Sequence, residues 1–162
     1  AIENEATEMA FYQKQADRSR NAVTHPLFQT LADEEKEHMT RIKALYDKLT
    51  SEGSWPEAVP IEVAGTNIRS VLRSTAADTG AVADHDTDDV TALKRSVKFE
   101  QKGSRFYADL AKQCDNPQEA KFFRFLSEIE REHQLSIEDS LFYLEDPEGW
   151  LRSKGRSGLD GA

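Results

Sequence analysis

Two stretches of the chain carry the same acids and histidines at the same spacing. Each stretch contains a Glu, a Tyr seven residues later, and a Glu-x-x-His motif that begins thirty residues after the first Glu. At an offset of 95 residues, Glu5, Tyr12, Phe28, Leu31, Glu35 and His38 recur as Glu100, Tyr107, Phe123, Leu126, Glu130 and His133. One such match arises easily by chance, but six matches in register indicate an internal repeat.

Carboxylates and imidazoles at this spacing are suited to binding metal ions. A Glu and a His three residues apart project from one side of a helix, so both can reach the same metal cluster. The predicted ligands, and catalytic residues, are Glu5, Glu35, His38, Glu100, Glu130 and His133. Four carboxylates can neutralise two divalent ions, whereas burying them without cations would be costly. We therefore predict two metal ions, and the absence of thiolate ligands favours iron or manganese, with zinc as a possible substitute.

A single Glu-x-x-His pair on a helix is usually a solvated surface pair. Here both pairs lie within apolar stripes, because the neighbouring apolar residues follow them in steps of three and four. In the first copy these neighbours are Phe28, Leu31, Ile42, Leu45 and Leu49. The position of the pairs within the stripes predicts that they face the core, where a metal explains their burial.

Three further residues lie on the same helix faces. Tyr12 and Tyr107 either pack in the core or donate a hydrogen bond to a ligating carboxylate. Glu8 follows Glu5 by three residues and is either an additional ligand or an acid on a polar helix flank. The counterpart of Glu8 in the repeat is Gly103, so the two halves differ at this position.

Four helices are needed to position these residues. We predict helices over 1–23, 26–50, 88–114 and 117–146, joined in two antiparallel hairpins by short connections. The residue before a proline avoids helical geometry, so His25-Pro26 is expected to separate the first two helices. Asn116 and Pro117 are expected to begin the last helix as its N-cap and first residue. His25 and His85 lie in connections without a matching acid, so we predict that neither binds metal.

The predicted architecture is all-α, with one four-helix bundle over residues 1–146. Its two hairpins are joined by a long crossover over 51–87, in which 67–76 is expected to form a short helix. The tail over 147–162 is polar, with Trp150 and Leu151 as residues that could dock onto the bundle.

The composition is that of one soluble domain. The 162 residues carry a formal net charge of −9 spread along the chain, which argues against nucleic acid or an anionic membrane as a partner. No apolar run approaches the roughly 20 residues that span a bilayer. The single cysteine, Cys114, excludes an intrachain disulfide and a four-cysteine iron module within these residues, and it favours a reducing, cytoplasmic setting.

These motifs resemble those of the rubrerythrin family within the ferritin-like superfamily. The likeness covers about residues 1–146 and rests on Glu5 to Tyr12, Glu35-x-x-His38, Glu100 to Tyr107 and Glu130-x-x-His133. The resemblance implies a ferritin-like four-helix bundle with a dinuclear iron centre, a homodimer, and chemistry with peroxide or dioxygen.

The chain departs from the family pattern in two places. Typical rubrerythrins carry a rubredoxin-like module with four cysteines that supplies electrons, whereas this chain has only Cys114. The electron donor is therefore expected to be a separate protein or a small reductant. Typical members also carry a glutamate three residues after the first acid of the third helix, where this chain has Gly103. Glu8, on the related first helix, could substitute for that glutamate.

Three functions remain open from the sequence. The first is an oxidoreductase in which two ferrous ions, bridged by carboxylates such as Glu35 and Glu130, each give one electron to peroxide or dioxygen. The second is non-catalytic iron binding, buffering or sensing, in which the protein loads with metal and stops. The third is a cage-forming ferritin, which its size in solution would reveal.

Overall fold

All regular secondary structure in the described part of the chain is α-helix. The computed structural model describes residues 1–53, 67–79 and 87–157. In these ranges the helices are α1 (Ile2–Arg18), α2 (Thr24–Glu52), α3 (Ile68–Thr79), α4 (Thr87–Gln113), α5 (Pro117–Glu145) and α6 (Pro147–Ser157). The all-α prediction is confirmed. None of the helices within the described ranges is both long and apolar enough to cross a membrane.

Two helix hairpins form the bundle. Helix α1 packs mainly against α2, and α4 packs mainly against α5, while α1 also contacts α4. The α4–α5 connection is short, and Asn116 at its end caps α5: the Asn116 Oδ1 accepts hydrogen bonds from the backbone N–H groups of Gln118 (2.8 Å) and Glu119 (3.4 Å). Pro117 follows as the first helical residue, as the sequence predicts.

The interior of the bundle is divided into two apolar clusters. Along α2, Phe28 and Leu31 belong to one cluster, whereas Ile42 and Leu45 belong to the other. Along the related helix α5 the order is reversed, with Leu126 in the second cluster and Ile137, Leu141 and Leu144 in the first. The Glu-x-x-His motifs lie between these apolar residues on both helices. The bundle therefore places its acids and histidines in one polar layer with apolar packing on either side.

The connection between α1 and α2 differs from the prediction. Helix α1 ends at Arg18 rather than at residue 23, and α2 already begins at Thr24, so His25 and Pro26 lie inside its first turn. The predicted separation at His25-Pro26 is therefore wrong. A proline in the first turn of a helix sacrifices no hydrogen bond, because the N–H groups there have no helical acceptor. Asn21 makes the turn instead, since its Oδ1 accepts from the N–H groups of Val23 (2.8 Å) and Thr24 (3.1 Å).

A buried acid ties this turn to the start of α4. The Asp89 carboxylate accepts hydrogen bonds from Ser19 Oγ (3.0 Å), Thr24 Oγ1 (2.8 Å) and Arg18 Nη2 (3.0 Å). Asp89 is only 2% exposed, so these three donors replace the water that the carboxylate loses on burial. The contact fixes the α1–α2 turn against the second hairpin, although 65 residues or more separate the partners along the chain.

The crossover and the tail each contribute a helix. Within the predicted crossover, α3 spans Ile68–Thr79 and packs against α2 and α5, with Ile68 and Leu72 buried in the core. In the tail, α6 packs on α5. Trp150 is buried against Tyr143 and donates a hydrogen bond to Asp139 Oδ1 (3.0 Å), whereas Leu151 is exposed. Of the two predicted docking residues, only Trp150 is docked. His85 lies outside the described residues.

Candidate metal centre

The six predicted ligands come together in the polar layer of the bundle. Helices α1 and α4 each contribute one glutamate, and α2 and α5 each contribute a Glu-x-x-His pair. Their side chains are inaccessible to solvent: His38 is 2% exposed, and the exposure is 0% for Glu5, Glu35, Glu100, Glu130 and His133. Burial of four carboxylates is costly unless protons or cations neutralise their charge, whereas carboxylates on the surface would be solvated by water.

The ligand atoms divide into two groups of four. Within the described residues, Glu5, Glu35, His38 and Glu130 form one group, and Glu35, Glu100, Glu130 and His133 form the other. In each group the ligand atoms lie within 4.8 Å of one another. Glu35 and Glu130 belong to both groups. This geometry allows two cations to share the two carboxylates as bridges, with one further Glu and one His for each cation.

Both histidines turn Nδ1 toward the carboxylates. His38 Nδ1 lies 3.1 Å from Glu35 Oε2 and 3.4 Å from Glu5 Oε2. His133 Nδ1 lies 3.1 Å from Glu35 Oε1 and 3.4 Å from Glu100 Oε2. The two rings stack nearly parallel, with their centroids 5.5 Å apart. Nδ1 is therefore the atom that each imidazole would offer to a metal.

Several of the converging atoms have no hydrogen-bond partner. Among the residues described, the buried atoms without a partner are Glu5 Oε2, Glu8 Oε2, Glu35 Oε1, Glu100 Oε2, both carboxylate oxygens of Glu130 and His133 Nδ1. A buried acceptor without a donor is destabilising by about 1–3 kcal/mol, and more if it is charged. Cations at the two four-residue groups would satisfy these acceptors, apart from Glu8 Oε2, which belongs to neither group. The residues present therefore fit a dinuclear metal centre of oxygen and imidazole ligands.

The two tyrosines bind the carboxylates crosswise. Tyr12 on α1 donates its hydroxyl hydrogen to Glu100 on α4, and Tyr107 on α4 donates to Glu5 on α1. Both rings are fully buried. Each tyrosine thus orients the single glutamate of the opposite hairpin, which is one of the two roles that the sequence leaves open for it.

The pKa values of the metal-free cluster show how strongly it holds protons. Burial, with further contributions from other carboxylates, raises the pKa of Glu130 well above its ordinary value. Burial alone would lower the pKa of His38, but the carboxylates of Glu35 and Glu5 outweigh it and raise the pKa to about 9. Burial would also raise the pKa of Glu35, yet the close approach of the His133 and His38 imidazoles lowers it. In the metal-free chain, protons on these groups therefore neutralise part of the negative charge that cations would otherwise neutralise.

Glu8 and Gly103 occupy related positions with different surroundings. Glu8 is 9% exposed and faces the cluster, where burial, followed by the charges of Glu100 and Glu35, raises its pKa to about 10. It is absent from both four-residue groups. At Gly103, a Cβ atom would lie 3.3 Å from Glu130 Oε2, so the glycine leaves room for this shared carboxylate.

One residue of the site is missing from the sequence prediction. Glu34 on α2 lies with Oε2 2.9 Å from His133 Nε2, and its Oε1 accepts a hydrogen bond from the backbone N–H of Asn67 (2.7 Å) just before α3. The repeat gives no sign of this residue, because its counterpart at the same offset is Ile129. In the sequence, Glu34 is marked as a possible site residue only by its position directly before the Glu of the Glu35-x-x-His38 motif.

A known protein family matches most of the chain. The profile of the rubrerythrin family matches residues 1–79 and 91–154, which is most of the chain. No match was found among curated proteins or among solved structures. Since the family profile covers both hairpins and all six residues that converge in the polar layer, the chain belongs to the rubrerythrin family.

Proposed function

We propose that the chain is a di-iron oxidoreductase that reduces peroxide or dioxygen with electrons from a separate donor. The observation that supports this proposal is the pair of buried four-residue groups that share Glu35 and Glu130. Two adjacent metal positions make a two-electron step possible, whereas a single structural ion would not need a shared pair of carboxylates.

The proposed ligand set is the six residues that converge in the polar layer. Glu35 and Glu130 would bridge the ions, Glu5 and His38 would complete one position, and Glu100 and His133 would complete the other. The four carboxylates balance the charge of two ferrous ions. The family pattern favours iron, and oxygen and imidazole donors also accommodate manganese or zinc as substitutes.

The chemistry comes from the ions, and the protein supplies their surroundings. Two bound ferrous ions would supply the two electrons that, with two protons, reduce peroxide to two waters, and an external reductant would return the electrons. The two apolar clusters exclude water on either side of the polar layer. Tyr12 and Tyr107 hold Glu100 and Glu5 in position.

Turnover separates this function from iron binding, buffering or sensing. Chain loaded anaerobically with two equivalents of ferrous iron is mixed with excess peroxide or dioxygen and a supplied reductant. An oxidoreductase consumes the oxidant over many cycles, whereas an iron-binding protein reacts once and stops. Absence of turnover with both oxidants would overturn the catalytic proposal while leaving the metal site intact.

Glu35→Ala and His25→Ala form a matched pair on α2. Glu35→Ala removes a carboxylate shared by both positions, so we expect it to abolish the dinuclear centre. His25 is exposed, and its Nδ1 lies 2.8 Å from the carbonyl oxygen of Ala16. We therefore expect His25→Ala to keep two ions per chain by elemental analysis. Metal loss from His25→Ala would show that the ligands have been wrongly assigned.

The assembly belongs to the same proposal. We propose a homodimer, on the family's pattern, that receives electrons from a separate protein or small reductant. Sedimentation of the metal-loaded chain distinguishes a dimer from the large cage that a storage ferritin would form.

A further inference from the structure

The repeat makes the two metal positions nearly equivalent, but two acids break this equivalence. We call the position of Glu5 and His38 the Glu5 half-site, and that of Glu100 and His133 the Glu100 half-site. Glu34 and Glu8 have no acidic counterparts, since residue 129 is Ile and residue 103 is Gly. Both acids act on the Glu100 half-site, Glu34 through His133 and Glu8 from α1.

Glu34 acts on this half-site through His133. Because His133 Nδ1 faces the ligand cluster, its Nε2 carries the hydrogen and donates it to Glu34 Oε2 at 2.9 Å when a metal occupies Nδ1. A carboxylate in this place fixes the orientation of the ring and makes the imidazole a stronger ligand. At the Glu5 half-site the related residue is the buried, apolar Ile129, and among the described residues no acid is found within ion-pair distance of His38 Nε2.

Glu8 acts on the same half-site from α1. Its side chain is 9% exposed, and its Oε2 is buried without a hydrogen-bond partner in the described part of the chain. Glu8 lies on the same face of α1 between Glu5 and Tyr12, and Tyr12 donates its hydroxyl hydrogen to Glu100, so Glu8 is placed on the side of the cluster that contains the Glu100 half-site. The free oxygen of Glu8 is thus available to a cation held by Glu100 and His133.

We propose that the Glu100 half-site is the stronger of the two metal positions, with Glu8 as an additional carboxylate ligand and Glu34 as the residue that positions His133. The proposal rests on the dinuclear centre proposed above. It means that a chain given one equivalent of metal fills the Glu100 half-site first. The second ion then enters the position that has the smaller negative charge around it.

Titration of the metal-free chain with cobalt(II) tests the order of filling. Visible absorption and calorimetry report each binding step without turnover. We expect two steps of different affinity in the parent chain, a retained tight step in His38→Ala, and loss of the tight step in His133→Ala. Equal affinities in the parent, or loss of the tight step in His38→Ala, would overturn the inference. A parent chain that binds no cobalt would instead overturn the dinuclear centre itself.

Isosteric variants test the two acids separately. We expect Glu34→Gln to weaken the tight step by roughly 10–100-fold, as for other groups that orient a metal-binding histidine. Glu8→Gln should weaken the same step and change the cobalt spectrum, because it removes a coordinating oxygen. Glu37→Gln on α2 and Glu3→Gln on α1 are matched controls, since both residues are exposed. If Glu8→Gln and Glu34→Gln bind cobalt like these controls, the proposed difference between the half-sites is wrong.

Discussion

The shared carboxylates Glu35 and Glu130 determine the character of the site. Each lies in the middle of a core-facing stripe, three residues before a histidine and between apolar neighbours. Because both belong to the two groups of ligand atoms, a pair of ions at these groups would share both carboxylates. The tyrosines add a hydrogen bond at each of the two remaining glutamates, and this contribution can be measured without metal.

Removal of either tyrosine hydroxyl should destabilise the metal-free chain. Tyr12→Phe or Tyr107→Phe deprives a buried carboxylate of its hydrogen-bond donor, so we expect the free energy of unfolding to fall by about 2 kcal/mol. Urea denaturation of the metal-free chain measures this change. Tyr46→Phe serves as the control, since Tyr46 is 62% exposed and its variant should stay within about 0.5 kcal/mol of the parent. Unchanged stability in both site variants would show that these hydrogen bonds contribute nothing.

The repeat predicts the residues that the two halves share and misses those that they do not. All six candidate ligands recur at the same offset, and the structure brings all six together. Glu34 has no counterpart, so no comparison between the halves could reveal it. The partners of the tyrosines are also beyond the repeat, because helix periodicity places Tyr12 on the face of Glu5 but does not show that its hydroxyl reaches Glu100 on another helix.

At the scale of the elements, helix faces were predictable and helix ends were less so. The stripes follow from hydrophobic periodicity, which is set by the geometry of the helix itself. The end of α1 depends on Asp89, which accepts from Arg18 at the end of α1, Ser19 in the turn and Thr24 at the start of α2. The local sequence around the turn does not reveal this contact. The sequence predicts a break at Pro26, but the first turn of a helix tolerates proline. The sequence predicts the docking of Trp150 but not helix α6, because the residues around Trp150 are mostly polar and show no apolar stripe.

Asp89 and its neighbour Asp88 allow a matched test of the turn. Asp89→Ala leaves the buried hydroxyls of Ser19 and Thr24 without their acceptor, so we expect the free energy of unfolding to fall by about 3 kcal/mol. The contact found for Asp88 within the described residues is an exposed ion pair with Arg18 at 3.4 Å, so Asp88→Ala should cost less than about 1 kcal/mol. Both variants should still bind two metal ions, because neither residue lies in the polar layer. Similar stabilities in the two variants would contradict the role given to Asp89.

At the scale of the whole molecule, the bundle holds a concentration of negative charge that only cations or protons can balance. The pKa of Glu8 rises from 4.5 to about 10 and that of His38 from 6.5 to about 9 in the metal-free fold. The folded chain therefore holds more protons than the unfolded chain between these values. The stabilisation from each group is complete below its unfolded pKa and is lost as the pH rises through the folded one.

The metal-free and metal-loaded chains should respond to pH in opposite directions. We expect the melting temperature of the metal-free chain to fall between about pH 6 and about pH 8.5, a window in which Glu35 stays ionised in both states. The metal-loaded chain should lose its ions, and the stability they bring, as the pH falls, because protons compete for the ligands. Calorimetry of both forms, with Glu8→Gln as a variant that should flatten the metal-free curve, checks both signs. A metal-free chain that becomes more stable with rising pH would contradict this explanation.

The metal centre itself is tested most directly by counting and locating the ions. Crystals of iron-loaded chain, measured at the iron absorption edge and combined with elemental analysis of the same preparation, give both the number and the positions. We expect two iron ions per chain, about 3.5–4 Å apart, between Glu35 and Glu130. One ion per chain, or ions bound away from the six converging residues, would contradict the dinuclear centre and the function proposed from it.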